Sequence, residues 1–240
     1  MAEQSPYSIP SYQAPDYKHR PLGQAIIELP LLYLKALFAP TARMFAREGE
    51  LARWGLVWVQ LFLLIVIPWA LGFVRGLNHA SVVRASTNSQ ALYNLLVAFT
   101  LGTSLVSIVA QTFLVPIFFF LTISIQFLLA KAFHGVGHYL AQCHTTLLYQ
   151  VPLAIIGAIL NTVYALTNLA GRSTLSPATS FVLFLYGILL NIVAIKGVHH
   201  LAGSKATLVV ILYYVICVLL VIAIIIAFTA FIISALRRAL

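Results

Sequence analysis

Beyond Leu51 the chain has no carboxylate side chain: its acidic residues are Glu3, Asp16, Glu28, Glu48 and Glu50. Hydrolases and glycosyltransferases need paired carboxylates for acid–base chemistry or metal binding, and none can be assembled from the remaining sequence. Proton- and cation-coupled transporters usually keep Asp or Glu at mid-membrane, at a cost of about 3 kcal/mol each, so that class is disfavoured too. Walker-A, GxSxG and HExxH motifs are also missing. These absences argue against an enzyme and call for no cofactor. Cys143 and Cys217 are the two cysteines, and they fall in different segments that suggest no disulfide framework. Charge of either sign is scarce, at 8% of residues, against about 25% in soluble domains.

What fills the sequence instead is apolar, 62% of it, arranged in blocks. Residues 54–74, 85–130, 173–195 and 206–236 are uncharged, and 132–171 lacks Lys, Arg, Asp and Glu. A helix needs roughly 20 apolar residues to cross a hydrocarbon core of about 30 Å. A water-soluble fold of this length cannot bury so much apolar surface in one core. The expected class is therefore all-α, a polytopic helical membrane protein. The polar, proline-rich start precedes an apolar block beginning near Gly55, so that block is expected to act as both targeting signal and first anchor.

Three regions follow along the chain. Residues 1–23 read as a disordered tail, broken by Pro6, Pro10, Pro15 and Pro21, with Tyr7, Tyr12 and Tyr17 in no helical period. Residues 24–53 form an amphipathic lead-in, divided by Pro30 and Pro40 into short helices that either lie in the membrane interface or pack on the bundle. Residues 54–240 form the transmembrane domain, with spans at about 55–74, 112–132, 146–168, 179–195 and 206–235. The stretch 91–109 is left open as interfacial, re-entrant or continuous with the next span, because a single helix over 91–130 would reach about 60 Å. A polar loop is expected between Arg75 and Gln90.

The net charge of +9 is spread singly around the apolar blocks, which suits topology setting and anionic headgroups and does not suit nucleic acid. Basic residues divide nine against five whether five or six spans are drawn. Both divisions place the N-terminus in the cytoplasm, and neither decides the span number.

Few residues invite chemistry. The run HGVGHYLAQCH holds His134, His138, Cys143 and His144, but two glycines weaken the helix a shared metal face would need, and no carboxylate could orient the imidazoles. Interfacial histidines meeting headgroups are the better reading. Gln60, Asn161 and Asn191, with Pro68, Pro116 and Pro152, read as interhelical glue and helix kinks. Residues 196–207 are the best interaction loop: Gly197 and Gly203 permit a tight turn, and Lys196, His199, His200, Ser204 and Lys205 crowd it with polar and cationic groups. Such a loop either anchors the chain to anionic headgroups or forms a recognition surface.

Several of these segments together resemble a known family. LFAPTARMF precedes the first span, AKAFHGVGHYLAQ closes a long apolar helix, LLYQVPLAII opens the next span, and FLYGILLNIVAIKGVHHLAGSKAT leads into the last. Over residues 31–236 the chain resembles the Yip domain family, polytopic proteins named for interaction with Ypt/Rab GTPases. The resemblance implies five spans, a cytoplasmic N-terminus and a C-terminus across the membrane. The tail lacks the Asp-Leu-Tyr-Gly-Pro signature of eukaryotic members, so the likeness is to shorter prokaryotic relatives and implies a prokaryotic plasma membrane. The expected function is a non-catalytic scaffold or adaptor in membrane organisation; the alternative is a transporter or channel for a neutral or anionic solute. Expected partners are the bilayer, its anionic headgroups, a membrane protein and a second copy of the chain.

Overall fold

The computed structural model describes residues 21–87, 89–167 and 175–239, so most of the expected tail and the loop around Arg172 lie outside the described residues. Those residues form seven helices: α1 (Leu22–Phe38), α2 (Ala42–Glu50), α3 (Trp54–Thr87), α4 (Gln90–Ala132), α5 (Tyr139–Leu166), α6 (Leu175–His199) and α7 (Gly203–Ala239). There is no strand among them. The last five helices are long and apolar enough to cross a membrane. The fold is thus all-α and polytopic, as expected.

α1 corrects the expected break at Pro30, since the helix runs through that residue and stops only at Ala39. An interior proline removes one hydrogen bond and crowds the preceding turn. Burial of Leu29, Tyr33, Ala36 and Leu37 on the bundle offsets that cost, while Pro30 itself points outward. On the opposite face Ile27, Leu31, Leu34 and Phe38 form an exposed stripe at helical spacing. α1 therefore packs inward and also presents an apolar outer face, the pattern of a helix at a bilayer boundary. α2 starts at Thr41, whose Oγ1 accepts from the Met44 amide at 3.1 Å, and buries Phe45 and Gly49.

α3 and α4 are the long elements, with 34 and 43 residues. At 1.5 Å per residue they extend about 51 and 65 Å, well beyond a core of about 30 Å. The expected polar loop from Arg75 is mostly helix, a correction: α3 continues to Thr87. Residues 91–109 are continuous with the span that follows. Each helix supports the other's extension. Trp69 Nε1 donates to the Ser104 carbonyl at 3.0 Å, and the Arg84 guanidinium lies 5.0 Å from the Tyr93 ring centroid. At Gly76 an added Cβ would come within 2.6 Å of Thr100 Cγ2, so the glycine sets the closest approach of the pair.

Buried side chains concentrate at one end. Leu56, Val57 and Leu61 of α3, Phe119 and Ile123 of α4, Leu147, Leu148 and Val151 of α5, and Leu190 and Ala194 of α6 form one cluster with α1 and Phe45. Ala130, Ile195, Leu201, Ala206, Val209 and Val210 form a second cluster. This end, termed the base, also holds the α4–α5 and α6–α7 connections. Away from it, residues such as Leu105, Phe113, Phe181 and Ile224 are exposed, as suits contact with lipid.

Candidate functional site

Polar side chains inside the base bond to one another across four helices. His199 Nε2 meets Gln142 Oε1 at 2.9 Å, Gln142 Nε2 donates to Gln126 Oε1 at 3.1 Å, and Gln126 Nε2 donates to Asn191 Oδ1 at 2.9 Å. With Gln142 Oε1 as acceptor, His199 carries its proton on Nε2, and the donation runs one way from α6 through α5 and α4 back to α6. A second contact joins Gln60 Nε2 of α3 to His144 Nδ1 of α5 at 2.8 Å. All six residues are buried. Hydrogen bonds of this kind between membrane helices contribute about 0.6 kcal/mol each on average.

Local geometry explains how the connections reach this network. α4 ends with Gly135 N–H donating to the Ala130 carbonyl and His134 N–H to the Lys131 carbonyl, a Schellman arrangement. His134 takes the left-handed position at φ 66°, where glycine is usual. Gly135 and Gly137 follow because there is no room for a side chain: an added Cβ would stand 2.8 Å from the Ala130 carbonyl at Gly135 and 2.5 Å from the Val198 carbonyl at Gly137, and 2.9 Å from His199 Nδ1 at both. The Val136 amide then donates to the His199 carbonyl at 3.2 Å, tying the two connections together.

The proposed interaction loop is divided by the fold. Lys196, His200, Gly203, Ser204 and Lys205 are exposed, whereas Gly197 and His199 are buried. The expected turn at Gly197 and Gly203 is corrected as well. Among the described residues no glycine has positive φ; His200 makes the turn at φ 53°. Gly197 is helical, and an added Cβ there would overlap the Ala42 carbonyl, so its role is to seat α2. The surface is also not purely cationic. Glu50 of α2 lines, with His138 and His200, a cavity of about 240 Å³ between the connections.

The four candidates in HGVGHYLAQCH separate. His134 and His138 are exposed, Cys143 is buried, and His144 turns inward to Gln60. Among the described residues no group of three or more His, Cys, Asp or Glu side chains converges. Asn161 is half-buried on α5, Pro116 lies inside α4, and Pro152 is buried inside α5. In α1 the Tyr33 hydroxyl is buried without a partner, and burial raises its pKa above the usual phenol range. The Tyr186 hydroxyl of α6 donates to the Leu37 carbonyl, fixing α1 to the bundle.

Gln126 and Gln142 escaped the sequence reading, although an uncharged amide deep in an apolar helix is a signal for an interhelical bond. Five long apolar helices, four of them joined by such bonds, define an integral multi-pass membrane protein. Comparison with protein-family models, curated proteins and solved structures finds no match to the chain.

Proposed function

We propose that this chain is a non-catalytic membrane scaffold or adaptor of the Yip type, with the N-terminus and the base in the cytoplasm. The observation that carries this reading is the polar network. Gln60, Gln126, Gln142, His144, Asn191 and His199 are buried and bond among themselves, and the cavity that His144 borders, of about 20 Å³, has room for about one water and not for a solute path. His199 ties the two connections together through Gln142 and the Val136 amide, so that Lys196, His200 and Lys205 share a surface with Glu50 and His138. A surface of mixed charge with a shallow cavity suits a protein partner better than simple attraction to lipid, which needs cations alone.

Cross-linking in native membranes followed by purification tests this. The Lys196→Ala, His200→Ala, Lys205→Ala variant should lose a specific membrane-protein partner while yield and thermal stability persist. An unchanged partner set would remove the assignment. So would flux of a neutral or anionic solute through proteoliposomes above the protein-free background.

A further inference from the structure

About midway along the α3–α4 pair lies a second polar feature, independent of the base. A cavity of about 440 Å³ opens between the helices, lined by Trp69, Gly72, Arg75, Ser104, Ser107 and Gln111 among others. Its wall on α4 follows from sequence: Thr103, Ser104, Ser107 and Gln111 recur at helical spacing and so share one face. Gln111 Nε2 donates to Ser107 Oγ at 2.6 Å, which leaves the Ser107 hydroxyl proton free to donate elsewhere. Arg75 supplies the charge. Its Nε is buried and has no hydrogen-bond partner. Among the described residues no carboxylate answers it, because Glu28, Glu48 and Glu50 belong to α1 and α2 at the base.

Depth narrows what could answer Arg75. The helix between Arg53 and Arg75 carries no charge and extends about 33 Å. From Lys131 back to Gln111 along α4 is about 30 Å. Both match a hydrocarbon core of about 30 Å, so Arg75 and Gln111 meet at the level of the opposite headgroups. Trp69 is at the boundary aromatic residues favour. Val74 and Val106 next to the cavity are exposed and offer apolar surface to acyl chains.

We propose that this cleft binds the phosphate of an anionic phospholipid, with the Arg75 guanidinium as counter-charge and the Ser107 hydroxyl and Gln111 amide as further donors. A guanidinium fork with neighbouring donors matches phosphate oxygens better than a lone ammonium does. The site does not depend on the adaptor reading.

The chain has three tryptophans, and Trp54→Phe with Trp58→Phe leaves Trp69 as the reporter beside the cleft. In vesicles containing brominated phosphatidylglycerol or brominated phosphatidylcholine, quenching of Trp69 measures relative binding. Phosphatidylglycerol should be favoured about fivefold, the factor one cation contributes near an anionic headgroup. Arg75→Gln should abolish the preference at unchanged helix content, and Arg75→Lys should restore part of it. Equal quenching by the two lipids in the Arg75 protein overturns the proposal whether or not the variants fold. Inorganic phosphate that abolishes the preference at millimolar concentration would assign the same chemistry to a soluble phosphate ester and overturn the lipid source.

Discussion

Gly197 and Gly203 meet opposite surroundings. A methyl group added at Gly197 would overlap the Ala42 carbonyl, whereas at Gly203 nothing lies within 4 Å. Overpacking a well-filled site typically costs about 1–3 kcal/mol. Gly197→Ala should therefore lower the thermal midpoint in detergent by displacing α2, while Gly203→Ala leaves it nearly unchanged. Equal midpoints for the two variants would mean that α2 is not seated as described. The same scale shows why His199 was hard to read. Its neighbours Lys196, His200 and Gly203 are typical of a loop. The helical register carried the better signal, since Asn191, Ile195 and His199 recur every four residues and share one face. Burial of His199 follows that register and overrides the local composition.

At the scale of elements, the existence and type of every spanning helix were legible, because long uncharged apolar runs leave few alternatives. Helix ends were less so. Membrane thickness suggested stops near 74 and before 112, yet nothing in the sequence enforces them. Gly102 costs a helix only about 1 kcal/mol, and α3 and α4 still pair beyond the expected stops, as Arg84 and Tyr93 do. Pairing between helices decides their length here, and single-helix patterns do not carry that information. The consequence is measurable. Spin labels at the exposed positions Leu95 and Leu128 of α4 should lie about 50 Å apart if α4 is one helix. A hairpin folded near Gly102 or Gln111 would bring them far closer, and a distance half as long would restore the six-span arrangement.

On the scale of the whole molecule the protein is uneven, with a packed base and long helices that expose their apolar sides. That asymmetry carries the functional account. A scaffold would need a well-packed surface on which partners dock, and the polar network crosslinks the base, where α2 and the two connections meet. A transporter whose path ran through the base would have to open this region in each cycle. Alternating access works by rocking one part of a bundle against another around a central site.

Cys143 reports directly on which behaviour holds, since it sits fully buried in the centre of the base. Thiol labelling with a membrane-permeant maleimide, in native membranes and on a Cys217→Ser background, is the decisive measurement. A cysteine introduced by His200→Cys, at an exposed position, serves as the control. A single packed state predicts rapid labelling of the control and almost none of Cys143 over the same period. Labelling of Cys143 at a rate comparable to the control would show that the base opens, and would contradict the scaffold account.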